Sequence, residues 1–168
     1  PTWSFRQFDW SSDLARLKKS GALHDATNPD LGAVKKRGAK IIHYHGWADA
    51  LVTPYGSIDY YEAVQAKMGD TKDFYRFYLV PGMEHCRGGA GCHQVDWLTP
   101  LTTWVEKNTA PQSITGANAE KQRTRRLCPY PQTAVWTGAG STDSAENFVC
   151  SSEGANAPAL EFTFEARV

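Results

Sequence analysis

The sequence lacks several features that would assign it at once to a broad class of protein. No apolar run approaches the roughly 20 residues needed to cross a membrane. The 18 basic residues equal the 18 acidic ones, so charge gives no reason to expect a nucleic acid or an anionic membrane as partner. There is no internal repeat, no Asn-x-Ser/Thr sequon and no Gly-x-Ser-x-Gly motif. What remains is a chain of 168 residues, 41% hydrophobic, as expected for one soluble domain with a core.

The four cysteines leave the redox compartment open on their number alone. Their spacing is not that of a paired Cys-x-x-Cys zinc site. Cys128 and Cys150, however, flank a segment rich in Gly, Ser, Thr and Asn that has little apolar side chain to pack. A disulfide between them would stabilise the folded state by about 3 kcal/mol in the chain-entropy model. We therefore predict this disulfide and an oxidising compartment, where Cys86 is best interpreted as half of a second disulfide.

Two strand-like segments and a helix between them predict the centre of the fold. Lys40–His45 is apolar on both faces, as in a strand buried in a parallel sheet, and Phe74–Val80 is rich in β-forming residues. Between them, Ile58–Met68 has apolar residues at helical spacing and stops before Gly69. A strand–helix–strand crossover pairs its strands in parallel, so the loops after both strands lie at one edge of the sheet. The expected fold class is α/β.

The remaining segments carry weaker signals. They predict a helix with Ser12 or Asp13 as its N-cap, which ends at Gly21 with Leu14 and Leu17 inward. They also predict a helix capped by Thr99 that ends near Asn108, with an apolar face of Leu101, Trp104 and Val105. The other predictions are a solvated basic loop at Lys121–Arg126, a disulfide-closed loop from Cys128 to Cys150 and an edge strand at Glu161–Val168. The aromatic residues of the first ten positions, Trp3, Phe5, Phe8 and Trp10, are expected to be buried against another part of the molecule.

Asp49 and His85 are the residues of the central unit that can carry chemistry. Asp49 lies in the loop after the first strand and His85 in the loop after the second. Reactive groups collect at the carboxyl ends of parallel strands. An acid followed by a histidine matches the last two members of the Ser…Asp…His order of α/β hydrolases. The histidine would take the proton of the nucleophile, and the carboxylate would hold the histidine in the required tautomer.

The serine of such a triad is not found in this sequence. It should precede Asp49 within a nucleophile elbow, which needs small residues around the serine. Ser151 and Ser152 follow the predicted stapled loop and no buried strand leads into them, so we reject both. The chain is therefore expected to supply an acid and a base, with the nucleophile provided from elsewhere.

Two rival interpretations use the same region. His43 and His45 share one face of the first strand, and together with Asp49 they would suggest a metal-dependent hydrolase, completed by His85 or His93. A histidine in a buried strand is more often a hydrogen-bonded core residue, so no metal site is expected. The second rival is a non-catalytic fragment that binds an aromatic ligand through exposed tryptophans.

Several short motifs occur along the chain in a characteristic order. They are Asn28-Pro29-Asp30-Leu31, Gly38–Ile42, Tyr44–Asp49, Asp59-Tyr60-Tyr61, Val80–Cys86 with Gly88-Gly89, Thr99-Pro100-Leu101, Trp104-Val105-Glu106 and Cys128–Pro131. Together they resemble the tannase and feruloyl esterase family from about Phe8 to Cys150, and the Gly-Met-x-His-Cys stretch is the most specific of them.

The resemblance implies a secreted or periplasmic serine esterase with an α/β-hydrolase fold. Its substrates would be esters of phenolic acids, such as feruloyl or galloyl esters. The acid of the family maps to Asp49 and the histidine to His85. Leu51 and Val52 match positions expected to line the acyl pocket.

The resemblance also implies partners outside this sequence. In the family, the cysteine that corresponds to Cys86 pairs with a cysteine immediately before the nucleophilic serine, and a second bridge fits Cys128–Cys150. The N-terminal half with that serine, and a lid domain that holds calcium in many members, are expected to lie outside these residues. We expect residues 1–115 to be the C-terminal portion of the catalytic domain and 116–168 its stapled extension. The isolated chain should have no cofactor and no activity.

Overall fold

The computed structural model describes residues 4–152. Its helices are α1 (Asp13–His24), α2 (Gly32–Lys36), α3 (Pro54–Met68) and α4 (Leu98–Lys107). Its strands are β1 (Ile41–Gly46), β2 (Tyr75–Val80), β3 (Gln94–Val95), β4 (Ile114–Asn118), β5 (Arg123–Leu127), β6 (Thr133–Trp136) and β7 (Phe148–Ser151). The edge strand predicted at Glu161–Val168 lies outside the described residues, as does Trp3. No helix within residues 4–152 is long and apolar enough to cross a membrane.

The crossover formed by β1, α3 and β2 confirms the α/β fold class. β1 and β2 pair in parallel, and their last residues, Gly46 and Val80, lie opposite each other, so the two strands end side by side. α3 begins at Pro54 rather than at Ile58, because the fixed φ angle of proline suits the first helical position. It ends before Gly69, whose φ of 75° breaks the helical path.

β2 separates two apolar clusters, since alternate side chains of a strand point to opposite faces. The cluster shared with α3 contains Tyr61, Val64, Phe74, Tyr75 and Phe77. The cluster shared with β4 and β5 contains Tyr78, Val80, Met83, Ile114 and Leu127. Full burial of one such side chain contributes about 1.5–3 kcal/mol to folding. Because β2 is buried on both faces, it gives a firm base to the loop that follows it.

The basic segment Lys121–Arg126 is not the solvated loop that its charge suggested. Most of it forms β5, which pairs antiparallel with β4. The guanidinium groups have partners: Arg123 pairs with Asp143, and Arg125 lies 4.0 Å from the ring centroid of Phe148. The prediction of a loop was wrong. The long apolar stem of an arginine side chain can pack within a strand when its charged end finds a partner.

The segment from Cys128 to Cys150 contains the predicted disulfide, which joins these two residues. It is more ordered than a simple loop, because β6 and β7 within it pair as an antiparallel hairpin. The bridge also ties the hairpin to the central sheet, since Tyr130, close to Cys128, donates its backbone N–H to the carbonyl of Phe77 at 2.7 Å.

The first helix differs from its prediction in three ways. α1 continues beyond Gly21 to His24, and the side chain of Ser12 makes no capping hydrogen bond. Leu14 and Leu17 are each 51% exposed rather than inward-facing. The spacing of the apolar residues predicted the helix correctly, but spacing alone does not show whether another element covers the apolar side of the helix.

Three further expectations were wrong: the cap of α4, part of its apolar face and the burial of the first aromatic residues. α4 is capped by Asp96, which accepts hydrogen bonds from the backbone N–H groups of Leu98 and Thr99, so Thr99 lies inside the helix instead of capping it. On its apolar face, Trp104 is buried but Val105 is exposed. Near the start of the chain, Phe5 and Trp10 are exposed although burial was expected.

Candidate active site

The loops after β1 and β2 bring Asp49 and His85 into contact. Oδ2 of Asp49 lies 2.7 Å from Nδ1 of His85, although 36 positions separate them in the sequence. The parallel crossover explains the contact, because it ends both strands at the same edge of the sheet. The side chain of His85 is 47% exposed and that of Asp49 only 3%. An oriented imidazole beside a buried carboxylate can accept a proton through its other nitrogen, Nε2.

Backbone donors hold the carboxylate of Asp49 in place. Its Oδ1 accepts hydrogen bonds from the N–H groups of Leu51 at 2.8 Å and Val52 at 2.9 Å. Burial of the carboxylate favours its protonated form, but the hydrogen bonds from Val52, His85 and Leu51 outweigh burial and hold the pKa of Asp49 well below its usual range. Asp49 is therefore ionised at neutral pH, as a group that stabilises an imidazolium must be.

Backbone hydrogen bonds connect the two loops that carry the pair. The acid loop is residues 47–53, between β1 and α3, and the histidine loop is residues 81–93, between β2 and β3. Trp47 donates its N–H to the carbonyl of Val80 at 2.9 Å, and Ala48 donates to that of Met83 at 3.0 Å. Within the histidine loop, Gly91 donates to Gly82 at 2.9 Å, which folds the loop back on itself. These hydrogen bonds join backbone atoms, so they fix the separation of the two loops without any contribution from side chains.

Gly46 is the point of closest approach between the two loops. A Cβ at this position would lie 2.4 Å from the carbonyl oxygens of both Met83 and Glu84, and neither backbone group can accept that contact without moving. Gly46→Ala should therefore displace the histidine loop. We expect kcat/KM of the full-length protein to fall by about 100-fold, since a misplacement of about 1 Å costs that much, and the melting temperature to decrease.

The matched control for Gly46→Ala is Gly56→Ala, in the first turns of α3. A Cβ on Gly56 would meet nothing within 4 Å, and alanine stabilises a helix by roughly 0.5–1 kcal/mol relative to glycine. This control should raise the melting temperature slightly and leave kcat/KM unchanged. Wild-type kcat/KM for Gly46→Ala would contradict the role assigned to the close approach.

The structure does not assemble the rival metal site. Nδ1 of His43 lies 2.8 Å from the hydroxyl of Tyr75, and burial, with the nearby His45 as a smaller cause, lowers the pKa of His43 to about 4. His43 is thus a neutral, hydrogen-bonded core residue. Residues 4–152 contain no group of three His, Cys, Asp or Glu side chains arranged to hold a metal ion.

His45 is a residue of this site whose place the sequence did not predict. Its Nε2 lies 3.3 Å from Oδ2 of Asp49 and 3.0 Å from the carbonyl of Val52, and its Nδ1 lies 2.7 Å from Oγ of Ser57. The His-x-His spacing had suggested only a metal ligand. His45 lies near the end of β1, four residues before Asp49, and this spacing is the signal that could have indicated its place.

The other predicted site residues surround the Asp49–His85 pair. Leu51 and Val52 are exposed beside it, and their role as acyl-pocket residues stays a prediction. Cys86 follows His85 with an exposed free thiol and a φ of 64°. Ser151, rejected as a nucleophile, ends β7.

A cavity of about 1170 Å³ lies next to the acid loop. Its lining includes two partly exposed tryptophans, Trp47 and Trp136, together with Tyr55 and Arg125, but neither Asp49 nor His85. The cavity is therefore a space separate from the contact between acid and histidine.

Curated relatives match most of this chain but only part of their own length. Mono(2-hydroxyethyl) terephthalate hydrolase of Piscinibacter sakaiensis is 42% identical in an alignment of 147 positions that covers 84% of this chain and 24% of that protein. A probable feruloyl esterase of Arthroderma benhamiae is 39% identical in an alignment of 137 positions that covers 76% of this chain and 25% of that protein. The chain thus spans about a quarter of the length of these two relatives.

Solved structures show the same fold. The crystal structure of feruloyl esterase B from Aspergillus oryzae superposes with a TM-score of 0.79 at 25% identity, covering 89% of this chain and 34% of that one. Tannin acyl hydrolase from Aspergillus niger has a TM-score of 0.64 at 24% identity, covering 90% and 30%, and supports the fold alone.

A family model described as "Tannase and feruloyl esterase" matches residues 3–151, nearly the whole of the described chain. This match agrees with the order of motifs read from the sequence and with the superposition on feruloyl esterase B, so the resemblance is confirmed. The chain belongs to the tannase and feruloyl esterase family.

Proposed function

We propose that the protein containing this chain is a serine carboxylesterase that hydrolyses esters of phenolic acids. The observation that carries the proposal is the 2.7 Å contact between Asp49 and His85 at the edge of a parallel sheet, in a chain of this family. An acid and a histidine in this arrangement are the two parts of a triad that move and stabilise a proton. The nucleophilic serine would come from a part of the protein outside this sequence.

In the proposed reaction, His85 acts first as a base and then as an acid. Asp49 accepts a hydrogen bond from the N–H at Nδ1 of His85, so Nε2 presents a lone pair to the serine hydroxyl. As serine attacks the ester carbonyl, its proton moves to Nε2. The imidazolium then returns that proton to the leaving alcohol, which produces an acyl-enzyme. A water molecule attacks the acyl-enzyme in the same way, releasing the acid and restoring the serine.

Aromatic acyl groups are the substrate class we favour. The relatives include enzymes named for feruloyl esters and for a terephthalate monoester, both of which carry an aromatic acyl group. Leu51 and Val52 lie beside the acid with exposed apolar side chains, and we propose that they line the acyl pocket. Which aromatic acid fits best would depend on residues outside this chain.

We also propose that Cys86 is joined to a cysteine next to the nucleophilic serine, in a secreted or periplasmic protein. The exposed thiol directly after His85 supports this pairing, because such a bond would hold the serine close to the histidine. Calcium belongs to the lid domain in this proposal; residues 4–152 offer it no ligand group, and no step depends on it. Peptide mapping of the non-reduced full-length protein should recover Cys86 in a linked peptide, and recovery as a free thiol would contradict the pairing.

The full-length protein tests the proposed activity directly. We expect hydrolysis of methyl ferulate and methyl gallate, slower hydrolysis of a matched aliphatic methyl ester, and complete inhibition by a serine-directed phosphonate with one adduct per chain. A chelator should leave the hydrolysis of both aromatic esters unchanged if no metal acts in the chemistry. The separate 168-residue chain should hydrolyse none of these esters, since it would lack the nucleophile. Activity that survives the phosphonate would contradict the serine mechanism.

The cavity beside Trp47 and Trp136 favours one second candidate, an aromatic-ligand-binding function without turnover. Titration of the separate chain with ferulate, followed by tryptophan fluorescence, distinguishes the two. Saturable quenching together with inactivity of the full-length protein would favour the binding function over the esterase.

A further inference from the structure

We propose that His45 and Ser57 form a positioning pair that holds the acid of the catalytic site, Asp49, against His85. The proposal rests on the proposed esterase function and adds to it two residues outside the triad. It follows from the hydrogen bonds of the His45 ring, both of whose nitrogens have partners near the acid loop.

The partners of His45 determine where its ring carries hydrogen. Nε2 lies 3.0 Å from the carbonyl oxygen of Val52, which can only accept a hydrogen bond. Nε2 must therefore be the protonated nitrogen. In the neutral ring Nδ1 is then an acceptor, and the hydroxyl of Ser57, 2.7 Å away, donates to it. The hydroxyl of Ser57 can donate or accept, so the carbonyl of Val52 determines the tautomer and Ser57 supplies the second hydrogen bond that holds the ring.

The same nitrogen also lies close to the carboxylate. Nε2 of His45 lies 3.3 Å from Oδ2 of Asp49, the oxygen that contacts Nδ1 of His85 at 2.7 Å. Oδ1 of Asp49 is occupied by the N–H groups of Leu51 and Val52. The carboxylate therefore has three hydrogen-bonding partners, Leu51, Val52 and His85, and Nε2 of His45 lies close to it as a fourth contact. Rotation of the carboxylate would break at least one of these contacts.

Little water reaches this pair of side chains. The side chain of His45 is 11% exposed and that of Asp49 is 3% exposed, so their contact is less weakened by solvent than one at the surface. The ring also connects three elements, since His45 is in β1, Val52 is in the acid loop and Ser57 is in the first turns of α3. Holding the carbonyl of Val52 fixes the turn whose N–H groups bind Asp49.

His43 provides the internal comparison. It lies two residues earlier on the same strand and also bonds a hydroxyl through Nδ1, but its partner is Tyr75 on β2. No hydrogen bond or ion pair described within residues 4–152 joins His43 to Asp49 or to the acid loop. The same substitution at His43 therefore removes a similar ring without touching the proposed positioning contacts.

The test measures kcat and KM separately in the full-length protein for His45→Phe, Ser57→Ala, the double variant and His43→Phe. We expect kcat to fall by about 10- to 100-fold for His45→Phe, because a loosened acid no longer holds His85 in its productive orientation, with KM changed by less than about threefold. His45→Gln, whose amide N–H can reach the same acceptors, should recover most of the loss. His43→Phe should leave kcat within about twofold of wild type.

The energetic coupling between His45 and Ser57 is the most discriminating part of the test. Ser57→Ala should lower kcat by about three- to tenfold in the wild-type background and by less than twofold when His45 is phenylalanine, because contacting residues of one network are not additive. Equal effects of Ser57→Ala in both backgrounds would overturn the proposal. So would wild-type kcat for His45→Phe. If His45→Phe fails to fold, three variants decide the question: Ser57→Ala, His45→Gln and the double variant that combines these two substitutions.

A measurement without substrate separates this inference from the esterase function. In ¹⁵N-histidine NMR spectra of the full-length protein, His45 should carry hydrogen on Nε2, and Ser57→Ala should shift the resonance of Nδ1, which loses its hydrogen-bond donor. A protein that hydrolyses no ester but shows this pattern would contradict the proposed function and leave the geometry in place. An active enzyme in which Nδ1 of His45 alone is protonated would overturn the inference.

Discussion

Replacing His85 with alanine in the full-length protein should reduce kcat/KM for aromatic esters by at least about 10⁴-fold. In the proposed mechanism His85, whose Nδ1 lies 2.7 Å from Asp49, is both the base for the serine and the acid for the leaving alcohol, so its removal should remove both roles. The side chain is 47% exposed, and the melting temperature should therefore change little. Steady-state kinetics together with a thermal melt distinguish lost chemistry from lost folding.

The control for this variant is His24→Ala, which removes an exposed histidine at the end of α1. It should keep wild-type kcat/KM. The triad assignment would be wrong if His85→Ala retained more than about a tenth of the wild-type rate, because residual activity after loss of the base comes only from substrate binding and the oxyanion site.

The parts of the fold that the sequence predicted are those determined by local pattern. β1, α3 and β2 each carry an apolar periodicity of their own, and the handedness of crossovers leaves few ways to combine them. Once the two strands were placed, the approach of Asp49 to His85 followed from the shared sheet edge. This prediction did not require the positions of any side chains.

The parts that the sequence could not predict depend on partners far along the chain. Arg125 lies in a strand because Phe148 is available to its guanidinium group, and nothing within Lys121–Arg126 indicates this. His45 is similar, since its ring is held by Ser57, twelve residues later, and its tautomer is determined by a carbonyl oxygen that every residue type carries. Spacing alone suggested a metal ligand because it records which residues share a face, and not which atoms meet.

The active-site geometry is also built by backbone groups that no motif encodes. Ala48 donates to Met83, and Gly46 allows the carbonyl oxygens of the histidine loop to come close. The order of acid and histidine along the chain is thus only one part of the arrangement. Two loops must be held at a fixed distance before a 2.7 Å contact can form between their side chains.

Asp49→Asn should lower kcat by about 10³- to 10⁴-fold, with a much smaller change in KM. The N–H groups of Leu51 and Val52 require an acceptor at the Oδ1 position, so the amide oxygen of asparagine will occupy it. The amide NH₂ then faces Nδ1 of His85 and donates to it. The proton of the ring is forced onto Nε2, which can no longer accept a proton from serine. The NH₂ group also meets the N–H of His45, which adds a repulsion between two donors.

Asp70→Asn is the matched control for this prediction, because Oδ1 of Asp70 also accepts a hydrogen bond from a backbone N–H two residues later, at Lys72, but far from the site in sequence and exposed to solvent. It should change neither kcat nor KM. The rate at which a phosphonate labels the serine provides a second measurement, since labelling needs the same proton transfer to His85 and should fall in parallel with kcat. An Asp49→Asn protein that loses ester hydrolysis but is labelled at the wild-type rate would show that Asp49 acts at a later step than the one derived from its contact with His85.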